Sequence, residues 1–256
     1  MSIRAEDICF SYGGEPVLKE VSVRIEPGCL TMLVGPNGSG KSTLLKLLSG
    51  FLSPERGTVL LDGRAPADYA WRERGRKLAF MTQDFYPGLD FTVRETVMLG
   101  RNPHLHAFAV PGEADHEAVR QALEDMELTD LAERPVNRLS GGERQRTMLA
   151  AVFAHQSEML LLDEPTSALD VRHALRLADY LRDLSRSRGI LMVTHDLSLA
   201  LRYADEVLLL KEGRLVASGT PDEALSPEHL GSAYDCRAEV LHGENLSSIG
   251  FYRPVE

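Results

Sequence analysis

The chain has 256 residues, 43% hydrophobic and 26% charged, an ordinary composition for a globular protein with a sizeable core. Its 38 acidic against 28 basic side chains leave a net charge of −10, whose long-range field repels nucleic acid and anionic lipid, so any anion site has to be local. The longest uninterrupted apolar stretch, Met148 to Ala154, falls far short of the roughly 18 to 20 residues that cross a bilayer.

No basic-then-apolar export pattern opens the chain. Cys9, Cys29 and Cys236 form no CxxC pair, and free thiols suit a reducing compartment. In chain order, strands are expected at Ile3 to Phe10, Val17 to Ile25, Leu30 to Val34, Thr58 to Leu61 and Leu78 to Met81. From Gln83 to about Pro135 helical patterns replace them. Thr92 with Glu95 forms a capping box, and Val119, Leu123 and Met126 share a helix face. Strands resume at Met159 to Asp163, Ile190 to Thr194 and Glu206 to Lys211, which turns at Glu212-Gly213 into Arg214 to Ser218. The alternation predicts an α/β fold with a parallel sheet and an inserted helical subdomain at about 84–138. Residues 242–256 read as a polar tail, and 1–241 as one domain.

Gly35-Pro36-Asn37-Gly38-Ser39-Gly40-Lys41-Ser42 fits GxxxxGK[ST], follows the apolar run Leu30 to Val34 and opens the helical pattern Leu44, Leu45, Leu47, Leu48, with Gly50 as its stop. Glycines let the backbone curl so that successive N–H groups face inward, and a helix N-terminus adds partial positive charge. Phosphate is the expected occupant, with Lys41 reaching the β and γ phosphates of ATP and the Ser42 hydroxyl ligating Mg²⁺.

Met159 to Leu162 is a wholly apolar strand ending in Asp163-Glu164-Pro165. Ligands of open α/β sheets bind at the carboxyl ends of strands. Asp163 is expected to hold Mg²⁺, and Glu164, pointing elsewhere because strand side chains alternate, to polarise an attacking water.

Leu139-Ser140-Gly141-Gly142-Glu143 precedes another helical pattern. Ser140 and Glu143 make a capping box, and the motif reads either as a well-capped helix or as a second phosphate site at Ser140, Gly141 and Gly142. With the phosphate loop and acidic pair in the same order, it resembles the signature of the ATP-binding cassette (ABC) family, from Tyr12 to about Leu241. That resemblance implies a P-loop NTPase cassette with a parallel core sheet, an antiparallel β subdomain and the helical insert. It also implies roles: Tyr12 stacking on adenine, Thr43 beside Ser42 in the phosphate set, and Gln83 linking Mg²⁺ and the γ-phosphate to the helical subdomain. Asp170, in Ser167-Ala168-Leu169-Asp170, would sit in the loop facing the opposite subunit, and His195, in Thr194-His195-Asp196, would contact the γ-phosphate. Lys41, Gln83, Glu164 and His195 form the implied catalytic set, and Ser42, Gln83 and Asp163 the implied Mg²⁺ ligands.

The same resemblance implies a homodimer of cassettes in which each signature closes over its partner's nucleotide. It further implies polytopic permease subunits, an extracytoplasmic substrate-binding protein and a place at the cytoplasmic face of the membrane. Phe91 to Glu95, Leu99 to His104, Arg172-His173, Arg202 to Asp205 and Leu225 to Glu228 are similar to the subgroup importing ferric siderophores, haem or cobalamin; Ala168 departs from the polar or histidine residue often found there. A soluble ATPase of iron–sulfur cluster assembly is the alternative. The alternating His104 and His106 are read as solvated rather than as metal ligands.

Overall fold

The computed structural model describes residues 1–82, 91–106, 109–243 and 247–252. An antiparallel sheet of β1 (Ile3–Ser11), β2 (Pro16–Ile25) and β4 (Arg56–Leu61) runs in the order β2-β1-β4. Between β2 and β4 come β3 (Leu30–Val34) and α1 (Lys41–Leu48), which ends at Ser49 and turns on Gly50 with φ 72°. After β4, α2 (Trp71–Lys77) leads into β5 (Leu78–Met81). The helices α3 (Val93–Leu99), α4 (Glu113–Asp125) and α5 (Gly141–Ala154) follow. The chain then alternates β6 (Met159–Asp163), α6 (Val171–Ser185), β7 (Gly189–Val193), α7 (Leu197–Tyr203) and β8 (Glu206–Lys211). It closes with β9 (Arg214–Gly219), α8 (Pro221–Ala224), α9 (Pro227–Tyr234), β10 (Arg237–His242) and β11 (Ser247–Tyr252).

The main sheet has the order β5-β6-β7-β3-β8-β9, parallel except for β9, which pairs antiparallel with β8. Every residue of β3, β6 and β7 is buried, as expected where both faces of a parallel sheet are covered. Side-chain alternation sorts these strands into two cores. Leu33, Leu161, Leu191 and Leu208 face α1 and the antiparallel sheet, while Met32, Leu160, Met192 and Val207 face the α5, α6 and α7 side.

Two boundaries differ from the sequence reading. The helical layer runs past residue 138, because α5 packs on both α3 and α4. The expected break after Leu241 falls inside β10, which pairs with β11 from Arg237↔Tyr252 to His242↔Ser247. Ala238, Val240 and Ile249 of this hairpin pack on the core, so it is held by side chains too sparse to stand out in a polar stretch.

Candidate nucleotide site

The loop between β3 and α1 takes its shape from three glycines in conformations L side chains rarely adopt: Gly35 at φ 145°, Gly38 at 77° and Gly40 at 104°. Space is as restrictive as dihedral angle, since a Cβ on Gly35 would stand 1.9 Å from the Leu210 carbonyl oxygen. The Gly213 amide donates to the Ser39 carbonyl at 3.0 Å, which ties the loop to the β8–β9 turn. Lys41 is buried, and its ammonium donates to the carbonyls of Gly35 at 2.8 Å and Pro36 at 2.9 Å. Burial lowers its pKa, opposed by the charges of Glu164 and Asp163. No side chain caps the N-terminus of α1, so its first amides are left for an anion. Tyr12 is 62% exposed, set edge-on to Phe10 at 4.9 Å with its hydroxyl 3.4 Å from Thr43 Oγ1, which places an open aromatic face beside the loop.

Strands β6, β7 and β3 are neighbours, and their carboxyl ends carry Asp163-Glu164, Thr194-His195 and the glycine loop side by side. Asp163 is 4% exposed, with the Ser42 side chain beside its carboxyl. Among the described residues its Oδ1 is buried without a hydrogen-bond partner. Burial raises its pKa most, with Ser42 pulling the other way. A desolvated carboxylate oxygen next to a hydroxyl is a donor set that fits a hard divalent cation such as Mg²⁺.

Glu164 leaves the strand with φ 49°, and its amide donates to the Val193 carbonyl at 3.2 Å. Its Oε1 lies 2.5 Å from His195 Nε2, at the edge of a cleft of ≈ 350 Å³ that Ser167 and Thr194 also line. Sequence reasoning missed Gln145, whose amide donates to the carbonyls of Glu164 at 3.3 Å and Pro165 at 3.1 Å. Its place in the first turns of a signature-like helix was the available hint. Gln83 lies outside the described residues.

The second glycine motif is elsewhere. Ser140 caps α5 reciprocally with Glu143, at 3.3 Å for the hydroxyl and 2.7 Å for the carboxylate, as the spacing predicted. Around Gly141 an added Cβ would meet nothing within 4 Å, whereas at Gly142 it would stand 3.2 Å from the Ala168 carbonyl oxygen. Whereas α1 packs on β1, β2, β4 and β6, α5 packs on α3, α4 and β5, so the two motifs are mounted on different layers. Asp170 caps α6, accepting the His173 amide at 2.9 Å. His104 is half-buried rather than solvated, with Nε2 2.8 Å from the His155 carbonyl oxygen. Beside it the buried Arg101 pairs with Asp115 at 2.9 Å and donates to the Ala154 carbonyl at 2.8 Å, so this segment fastens α3 to the end of α5.

The family described as ABC transporter matches residues 18–167, more than half of the chain. The chain belongs to the ABC transporter family. The ferric enterobactin transport ATP-binding protein of Escherichia coli is 39% identical to this ABC protein over 241 residues, 93% of this chain and 89% of that one. A solved transporter described as of metal-chelate type, in an inward-facing conformation, superposes with a TM-score of 0.83 at 28% identity, over 98% of this chain and 96% of that one. A dimeric ATP-binding cassette in a post-hydrolysis state, bound to ADP and phosphate, superposes with a TM-score of 0.75 at 28% identity, over 86% of this chain and 98% of that one. The ABC protein is thus an ATP-binding subunit whose reaction is ATP hydrolysis coupled to transport. No helix among its described residues is long and apolar enough to cross a membrane.

Proposed function

We propose that this chain is the ATP-hydrolysing subunit of an importer of iron chelates of the ferric siderophore type, haem or cobalamin, working as a head-to-tail homodimer on polytopic permease subunits. The observation that carries the catalytic part is the convergence of the glycine loop, Asp163-Glu164 and His195 at three adjacent strand ends. The amides of Gly35 to Thr43 and the Lys41 ammonium hold the phosphates, with Tyr12 under the base. Ser42 and Asp163, with Gln83 assigned by resemblance alone, would hold Mg²⁺, which would supply countercharge for the phosphates.

Water attacks the γ-phosphorus as the bond to the bridging oxygen breaks and ADP leaves with that electron pair. Glu164 aligns the water and accepts its proton, and His195, already on Glu164, positions the carboxylate and meets the γ-phosphate. Ser140, Gly141 and Gly142 reach the nucleotide of the facing cassette, with the Asp170 loop between the two subunits. This explains why one chain carries two phosphate motifs on separate layers.

The permease is assigned to an apolar groove of ≈ 430 Å³ lined by Phe51, Phe80, Leu99, Gly100 and Val152, where Phe51 is 75% exposed. The cargo class is supported by likeness to the enterobactin subunit, to the metal-chelate type transporter and, to a similar degree, to haemin and cobalamin import subunits. An extracytoplasmic substrate-binding protein completes such a system, and the chain itself lies peripherally at the cytoplasmic face of the membrane. The charge of −10 argues against nucleic acid as a partner.

Glu164→Gln should bind ATP yet lose about 10²- to 10⁴-fold in turnover, the usual contribution of a general base. Wild-type turnover in that variant would remove Glu164 from the mechanism. The tagged variant, captured with ATP from detergent-solubilised membranes, should bring down a polytopic protein. Soluble partners alone would turn the assignment to a cluster-assembly ATPase.

A further inference from the structure

Between the end of α4 and the start of α6 lies a charged knot that the nucleotide motifs do not use. Glu127, just past α4, has a left-handed φ of 52°. Its carboxylate meets three side chains of α6: Arg172 at 3.6 Å, His173 Nε2 at 3.4 Å, and Arg176. Arg146 of α5 fixes the same turn by donating to the carbonyls of Met126 at 2.7 Å and Glu127 at 3.0 Å. His173 faces two ways, since its Nδ1 lies 2.8 Å from Asp170 Oδ1. One ring therefore spans a carboxylate of the helical layer and the carboxylate that ends the Ser167 to Asp170 loop.

The other half of that loop is already tied to the same layer. Gln145 of α5 holds the carbonyls of Glu164 and Pro165, and Gly142 sits against the Ala168 carbonyl. Without His173, Asp170 keeps its backbone cap on α6 but loses the side-chain partner that relates it to Glu127. The capping role and the bridging role are thus separable.

We propose that His173 is a positioning residue for hydrolysis, holding Asp170 and its loop in an orientation set by Glu127, so that movement of the helical layer reaches the end of the loop that begins at Glu164. The inference rests on the reading that this loop faces the second cassette. A histidine fits because its two ring nitrogens point apart, one toward each carboxylate, whereas a glutamine carries both of its N–H groups on one nitrogen.

The test uses the purified full chain and four variants: His173→Ala, His173→Gln, Glu127→Asn and the double variant His173→Ala/Glu127→Asn. Asparagine suits the left-handed backbone at position 127 and is too short to reach the ring. Both the alanine and the asparagine variants should lower kcat about tenfold while KM for ATP and binding of a fluorescent ATP analogue change less than about twofold. The double variant should be no slower than the slower single one, because the His173–Glu127 contact is already lost in each, although Glu127→Asn also releases Arg172 and Arg176. His173→Gln should recover part of the loss. Multiplying losses in the double variant, unchanged kcat in His173→Ala, or a loss that tracks thermal unfolding would each overturn the proposal. A wild-type chain that fails to hydrolyse ATP would instead overturn the parent assignment.

Discussion

The Gly35 to Ser42 loop and the Ser140 to Gly142 turn both set glycines at a helix start, yet their surroundings are opposite. The first is walled by its own chain: Gly35 lies under Leu210, Gly40 under Leu18, and Lys41 is folded into the loop's own carbonyls. The second is open, with Ser140 and Gly141 exposed and, among the described residues, nothing within 4 Å of the Gly141 Cβ position. A site finished in cis needs only its ligand. A site left open on one side needs a ligand delivered by something else, and a second cassette is the delivery proposed here.

The strongest test of that contrast is steric. At Gly35 even one methyl group meets a backbone oxygen at 1.9 Å on a backbone with φ 145°, so Gly35→Ala should abolish measurable ATP binding and lower the melting temperature. Nucleotide titration and a thermal melt report both. Gly141→Asp should fold and bind ATP as the wild type does, because the added atoms enter open space. It should nevertheless lose about tenfold or more in turnover, since a carboxylate then faces the partner's phosphates. Equal damage to ATP binding by both substitutions would erase the distinction between the two motifs.

The shape of the glycine loop could be read from sequence because its requirements are local: a strand, glycines at fixed spacing, a lysine and a helix start all lie within one short segment. The Ser140–Glu143 and Thr92–Glu95 capping boxes were legible for the same reason, and both form. The contact between Glu164 and His195 was not, because it depends on β6 and β7 being neighbours. Gln145 was missed for the same kind of reason, since it acts on backbone carbonyls of a loop that follows a different strand. In β10, Ala238 and Val240 do alternate with Arg237 and Glu239, but two small apolar residues are a faint period-2 signal. That hairpin is held by packing that only the folded chain displays.

The smallest expected effect concerns Tyr12, which belongs to the closed site yet is its least enclosed member. Its ring touches Phe10 by an edge and keeps 62% of its surface exposed, so little of the fold depends on it. If it serves as a platform for the base, Tyr12→Ala should raise KM for ATP about five- to tenfold, in line with base–aromatic stacking of ~1 kcal/mol or more, and leave kcat and thermal stability nearly unchanged. Tyr12→Phe should match the wild type, because it keeps the π face and gives up only the 3.4 Å approach to Thr43. Every base has a π face, so ATP and GTP should suffer alike in the alanine variant. A KM that stays put in Tyr12→Ala would take the adenine platform away from this residue, and a loss in Tyr12→Phe would move the weight onto its hydroxyl and Thr43.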